Sequence, residues 1–341
     1  MKKLLLIVPA LHQGGFEKVC VETAKLLKPY YQVQVAIFDA RDIAYDTTGI
    51  SVVDLQLPSR EGRLAKILNV LKRGHKLYKL KKKEKIDITY SFGPTANLAS
   101  IASFGKDKKW FGFRSYMDMG NVRQIKLFCR CADRVVCCSE TICHEIQEQY
   151  GCKCAVTLSN PFDIQEVEAL SLRETAKLPW TEGRVLVSMG REDVVKGFWH
   201  LIKSFALVHQ KLPDTKLMII GQGEYTQYKE LASGLGLEDA VYFTGLKKNP
   251  YPYLKKSSLY VLTSYNEGFP NALVEAMALG VPAIATDCLT GPKEILGKEY
   301  GILVPNMSPE ADFNPTHITE EEDALAKQII TLLEDDQQMK H

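Results

Sequence analysis

Short apolar runs with no in/out alternation recur along the chain, and stretches with helical spacing separate them. In the first half the strand-like runs fall at 4–8, 33–38, 52–55, 86–92, 110–113, 134–138 and 155–158. Helical patterns lie at about 15–28, 64–83, 95–103, 121–131 and 139–149. A strand that is apolar on both faces needs cover on both, and intervening helices supply it, so the pattern predicts a parallel sheet. Asn160-Pro161 ends the last of these strands, and the polar stretch 166–182 reads as a linker. The alternation then restarts, with strands at 184–188, 216–220, 241–243, 259–262 and 283–285. Helices follow near 198–211, 225–234, 250–256, 271–279 and 320–333. The whole reads as an α/β chain of two tandem Rossmann-like, doubly wound domains, 1–165 and 183–341, facing a cleft. In open α/β sheets ligands sit beyond the carboxyl ends of the strands, so those loops are where chemistry is sought.

Length and composition agree with this division. A chain of 341 residues is long for one domain and sufficient for two cores; 45% apolar and 25% charged residues are those of a soluble globular protein. The apolar run after Met1-Lys2-Lys3 is too short for a secretory signal or a membrane span, so a cytoplasmic location is expected. The nine cysteines include no C-x2-C pair, which points to buried thiols in a reducing compartment rather than to a zinc site or a disulfide framework. The net charge of +2 hides an asymmetry: residues 1–165 carry 26 Lys and Arg against 16 Asp and Glu, and the remainder 17 against 25. A basic first half suits an anionic surface.

Three strand-to-helix loops carry candidate chemistry. After the first strand comes His12-Gln13-Gly14-Gly15, where a close backbone approach and a helix N-terminus suit an anion; a tight turn without a ligand is the alternative. After the first strand of the second half, Arg191 and Lys196 stand five apart and could hold two phosphates, one with a fork of donors and the other with a movable point charge; two solvated loop cations are the alternative. Gly221-Gln222-Gly223 follows a further strand as a second close approach. The most informative stretch is 264–275. Pro270 is tolerated in a first helical turn, so a helix starts at Asn271, and the backbone around Gly268, Phe269, Asn271, Ala272 and Leu273 turns its amides toward an anion. Glu275, one turn in, can accept from vicinal hydroxyls such as a ribose presents, and Glu267 could meet a sugar; two acids that cap or solvate an ordinary helix are the alternative.

The E-x7-E of Glu267 and Glu275, with Arg191, Lys196 and Gly14-Gly15, resembles the family 4 retaining glycosyltransferases over nearly the whole chain. The likeness is densest over 247–296, where Asn249-Pro250-Tyr251, Glu267-Gly268-Phe269-Pro270-Asn271 and Thr290-Gly291-Pro292-Lys293-Glu294-Ile295 look like the subgroup that builds lipid-linked oligosaccharides, capsules and O-antigens in bacteria. The resemblance implies the GT-B fold and transfer of a hexose or N-acetylhexosamine, with retention, from a nucleotide sugar, UDP being the nucleotide most of the subgroup uses. It makes Arg191 and Lys196 the diphosphate clamp, Gly268 and Phe269 backbone contacts to phosphate or sugar, Glu275 the ribose acid and Glu267 the acid beside the donor sugar. Gly245, Leu246 and Lys247 would cradle the base, and Asn266 would help choose the hexose. Many members carry a histidine near 110–113; here the segment reads Phe113-Arg114-Ser115-Tyr116, so Arg114 is the candidate on the acceptor side, with His12 as a lesser one. Members also end in a helix that returns to the first domain, and a chain ending at Met339-Lys340-His341 is expected to lack it.

No Asp-x-Asp occurs, so no metal and no cofactor is expected; the two cations and the helix dipole would neutralise the diphosphate. The basic segment 71–83, with leucines at intervals, suits peripheral contact with anionic lipid at the inner face of the cell membrane; packing favours those leucines facing the core, and the two readings are compatible. That contact would bring the protein to a polyprenyl-linked or glycan acceptor. Nucleic acid is excluded as a partner for want of a stacking platform, and a dinucleotide for want of G-x-G-x-x-G. Two other classes fit the same fold: a nucleotide-sugar epimerase-like enzyme, and a non-catalytic nucleotide-sugar binder.

Overall fold

Leu4, Leu5, Leu6, Ile7 and Val8 are all fully buried, which is why β1 (Lys3–Ala10) must be covered on both faces. In the computed structural model, which describes residues 1–335, β1 lies inside a seven-stranded parallel sheet. After it come α1 (Gly15–Leu27), β2 (Gln32–Asp39), β3 (Ser51–Asp54), α2 (Arg63–Glu84), β4 (Ile88–Phe92) and α3 (Pro94–Ala102). Next are β5 (Lys108–Phe113), α4 (Val122–Cys131), β6 (Arg134–Cys137), α5 (Glu140–Tyr150) and β7 (Ala155–Thr157). The strand order β3-β2-β1-β4-β5-β6-β7 reverses between β1 and β4. Alternate residues of β1 serve opposite covers: Leu4, Leu6 and Val8 pack with Val19, Cys20 and Ala24 of α1, and Leu5 and Ile7 with Leu77 of α2 and Ala96 and Ala99 of α3.

The chain divides into two units, the first Met1–Phe162 and the second starting at Asp163. The second contains α6 (Ile164–Leu172), β8 (Arg184–Met189), α7 (Phe198–Lys211), β9 (Thr215–Ile220), α8 (Thr226–Gly234), β10 (Val241–Phe243) and α9 (Tyr251–Lys255). It continues with β11 (Leu259–Leu262), α10 (Asn271–Ala278), β12 (Ala283–Thr286), α11 (Pro292–Leu296), β13 (Ile302–Val304) and α12 (Glu320–Glu334). Its six parallel strands run in the order β10-β9-β8-β11-β12-β13, so the switch lies between β8 and β11.

One expectation needs correction, and for the basic segment 71–83 the core-facing reading of two leucines holds. The segment 166–182 is no simple linker: it begins inside α6, which Asp163 caps by accepting from the Glu166 amide at 2.9 Å, and Asn249 donates to the Leu170 carbonyl at 2.8 Å. A helix of nine residues makes too few turns for its periodicity to stand out. In the basic segment 71–83, Leu77 is fully buried and Leu80 packs against the same core, so those two leucines do not face outward. Of the cysteines six are buried, while Cys129, Cys131 and Cys154 are partly exposed. Among the described residues no helix is long and apolar enough to cross a membrane. The expectation for 339–341 falls outside the described residues.

A buried polar cluster ties α7 to α12. Lys203 donates to Asp312 at 2.8 Å, and His200 places Nδ1 2.6 Å from Glu322 and Nε2 3.0 Å from the Ser308 carbonyl. The Lys203 ammonium, with the Asn314 amide and His317, holds the Asp312 carboxyl far below the usual carboxylate range. A depressed folded-state pKa means the unfolded chain binds the extra proton, so this contribution is complete above the ordinary aspartate value and fades as pH falls below it. We predict that between about pH 5 and pH 3 wild type loses more stability in urea titrations than Asp312→Asn does. Parallel losses in the two proteins would refute this.

Candidate functional site

The loops after β8, β11 and β12 are stitched to one another. Asp193 accepts from the Val195 amide at 3.1 Å and starts a 3-10 turn, Val194–Lys196. Gly197 ends it at φ +59, and a Cβ there would stand 2.4 Å from the Thr263 carbonyl oxygen, so both conformation and space demand glycine. Thr263 donates its hydroxyl to the Lys196 carbonyl at 3.0 Å, and the Tyr265 amide donates to Val195 at 3.2 Å. The Thr290 hydroxyl donates to the Glu267 carbonyl. These bonds bring together two residues that stand 71 positions apart: Lys196 Nζ lies 2.8 Å from Glu267 Oε1, with the side chains 24% and 11% exposed. Beside them, Asn266 Oδ1 and Ser264 Oγ are buried without a hydrogen-bond partner. Buried polar atoms in that state are uncommon and mark places where a ligand can complete the bonding.

Arg191 does not join this pair. It bonds Asp193, two residues on, at 3.1 Å, and its side chain is largely exposed. Glu275 is buried in α10 and accepts from the Tyr251 hydroxyl at 3.5 Å. Gly268 is buried, Phe269, Asn271 and Ala272 are partly so, and Leu273 faces the core. The Leu273 amide donates to the Pro270 carbonyl at 3.1 Å, which removes it from the expected anion-facing set. At the loop after β10, the Gly245 carbonyl accepts from the Gly221 amide at 3.2 Å. Leu246 is exposed, and Lys247 Nζ lies 5.3 Å above the Tyr253 ring.

Gly223 has a reason that sequence reasoning missed. A Cβ there would stand 2.4 Å from Glu192 Cβ, and the Glu192 carboxylate accepts from the Glu224 and Tyr225 amides at 2.8 and 2.9 Å. The close approach is to the chain's own anion. Glu192 adjoins Arg191 in sequence, but nothing local signals that it reaches 32 residues ahead.

In the first unit, the turn after β1 lies under residues 42–45. Tyr45 accepts from the Gly14 amide at 2.9 Å and donates its hydroxyl to the Gly14 carbonyl at 2.7 Å, Ala44 donates its amide to Leu11, and exposed His12 places Nδ1 3.4 Å from the Asp42 carbonyl. Gly15 begins α1. Arg114 follows β5 and donates from Nη1 to Asn160 at 3.0 Å. Its guanidinium carbon lies 5.1 Å from the Phe92 ring centre and 5.5 Å from that of Tyr90. Its Nε is buried without a partner, and burial pushes its pKa down from the usual arginine value. Burial raises the Asp118 carboxyl, although it accepts from the Arg114 and Ser115 amides.

Residues 173–341 match the family model for glycosyl transferases group 1. Over 198 residues the chain is 37% identical to an uncharacterised glycosyltransferase of Methanocaldococcus jannaschii, covering 52% of this chain and 49% of the relative, so it spans about half the length of that protein. It is 25% identical over 347 residues to N-acetylgalactosamine-N,N'-diacetylbacillosaminyl-diphospho-undecaprenol 4-alpha-N-acetylgalactosaminyltransferase of Campylobacter jejuni, covering 96% of this chain and 92% of the relative. Among solved structures it resembles Anabaena HepE in complex with UDP and glucose, at 20% identity and a TM-score of 0.76, covering 100% and 92% of the two chains. At that identity the likeness speaks for the fold, which is GT-B, with two parallel-sheet Rossmann-like domains.

Proposed function

The chain belongs to the group 1 glycosyltransferases through residues 173–341, and we propose that it moves a hexose or N-acetylhexosamine from a UDP-sugar to a glycan or lipid-linked glycan during surface polysaccharide assembly. The observation that carries this reading is the largely buried Lys196–Glu267 pair beside the orphaned Asn266 Oδ1. An ammonium has three donors; one serves Glu267, and the others remain for phosphate oxygens. Charge that builds on the departing diphosphate is met by Lys196, with Arg191 released from Asp193 as second cation, so the reaction runs without a metal or cofactor. Glu267 aims Lys196 and, with Asn266, meets sugar hydroxyls. Glu275, steadied by Tyr251, takes the ribose hydroxyls, while the backbone at Gly268, Phe269, Asn271 and Ala272 faces phosphate. Gly245, Leu246 and Lys247 border the base. Attack comes from the face the leaving group departs, assisted by donor phosphate, which retains configuration. On the acceptor side, Arg114 offers its unsatisfied Nε, and His12 lies by the Gly14-Gly15 turn.

UDP as nucleotide draws support from the UDP bound to HepE, and a lipid-linked acceptor from the name of the Campylobacter relative. Such an acceptor places the protein in the cytoplasm at the inner face of the cell membrane, in peripheral contact through its basic α2. Calorimetric titration in EDTA tests the donor site: UDP binds without metal, GDP binds more weakly, and Glu275→Ala loses about ten- to a hundredfold in UDP affinity, as expected for a hydrogen bond to a charged group. Equal affinity in the variant would remove the ribose assignment.

A further inference from the structure

We propose that α2 and the loop after α3 form a two-part surface that enters an anionic bilayer, apolar side chains past the headgroups and lysines among them; this rests on the lipid-linked acceptor proposed above. At 100° per residue, Leu64, Ile67, Leu68, Leu71, His75, Tyr78 and Lys82 share one stripe of α2, opposite the side that buries Asn69, Arg73 and Leu77. Leu64 is 78% exposed, and Ile67, Leu68 and Leu71 are each more than half exposed. A globular protein seldom leaves four such side chains in one row uncovered. Along one flank Lys72, Lys79 and Lys83 recur at helical spacing and are exposed, and the helix has no acidic residue before Glu84.

The second part stands beside this helix. Gly74 lies against Ala102, and Lys81 forms an ion pair with Asp107 at 2.7 Å, which fixes the loop 103–107 along the later turns of α2. There Phe104 is 73% exposed at φ +44, a left-handed conformation that a bulky side chain rarely adopts. An aromatic ring held out to solvent at a conformational cost suggests a use. Exposed Lys106 and Lys108 flank it. Apolar side chains interleaved with cations, with the loop's one acid, Asp107, buried against Lys81, complement negative headgroups over an acyl layer. The inserting residues therefore belong to 64–71 and the 104 loop, not to the leucines at 77 and 80.

The test is co-sedimentation of the full chain with phosphatidylglycerol–phosphatidylcholine vesicles. Wild type binds these and not phosphatidylcholine alone. The triple variant Leu64→Ser, Leu68→Ser, Leu71→Ser, which alters only exposed positions, loses at least about tenfold in partitioning. Lys72→Gln, Lys79→Gln and Lys83→Gln together lose on the order of a hundredfold and most of the salt dependence. Phe104→Trp shifts its emission to the blue on anionic vesicles. Partitioning unchanged in both triple variants overturns the proposal, and an unmoved emission removes Phe104 from it. All variants keep wild-type UDP affinity. UDP binding without vesicle binding sinks this docking surface alone, and the converse sinks the donor site alone. A wild-type dimer that the serine variant turns into a monomer, with no vesicle binding in either, would assign the stripe to a second copy of the chain and overturn the proposal.

Discussion

Alanine at Lys196 lowers kcat/KM for sugar transfer about a hundred- to a thousandfold, mostly through kcat. The ammonium is held where charge would develop, and water cannot replace it cheaply because the pair is more than three-quarters buried on both sides. Removing it also strips Glu267 of its partner, so part of the loss comes from a carboxylate left unpaired beside the diphosphate. Arginine does not rescue fully. The Lys196 stem lies along Gly190, its carbons about 3.2 Å from where a Cβ would be, and a forked head on that track cannot repeat one point contact with Glu267. Thermal unfolding shifts little, since the surrounding loops are held by backbone bonds through Thr263 and Tyr265. A transfer rate within a few-fold of wild type, with fold intact, would end the assignment of Lys196 to the leaving group.

The largest effect on stability is expected at Glu322. Replacing it with alanine costs the second unit about 3–5 kcal/mol, the range for breaking a buried charged cluster from one side. Its carboxylate is fully buried, bonds His200, lies 4.0 Å from Lys203 and accepts from the Thr319 amide at 2.9 Å. Without it a fully buried ammonium keeps only Asp312 as acidic partner among the described residues, and the start of α12 loses half its capping box. Urea unfolding followed by tryptophan emission measures this, because Trp199 packs against His200 with ring centres 4.8 Å apart. A loss below about 1 kcal/mol would mean the cluster is solvated more freely than its burial indicates.

How much of this was legible beforehand depended on what kind of signal each part leaves. Long apolar strands and helices of ten or more residues were readable because their periodicity repeats, and α7 is found where its spacing placed it, at 198–211. Short elements leave no period, so α6, α11 and β13 went unread, and with α6 the true division near Phe162. Glu267 and Glu275 could be singled out because a proline and a helix start set their context. That Glu267 holds Lys196 could not be read from spacing, because the contact depends on how strands β8 and β11 pair. The orientation of Arg191 toward Asp193, the seat of Glu192, and the cover of Tyr45 over Gly14 are all side-chain choices made by the folded loops. The outward face of α2 was half legible: its charge was plain in the sequence, but which leucines point out follows only from where Gly74 and Leu77 meet the body.

The seat of Glu192 has a consequence for fidelity. A row of strand-end turns with amides pointing outward is a row of similar resting places for a diphosphate, and a donor parked one turn away from the reacting groups is bound but idle. With Glu192 on the Glu224 and Tyr225 amides, one of those resting places is already taken by an anion that cannot diffuse off. Free phosphate and misplaced donor then meet a negative charge instead of two open amides. In the transfer proposed above, productive complexes would gain their share of the protein by elimination, without any tighter grip on the correct one.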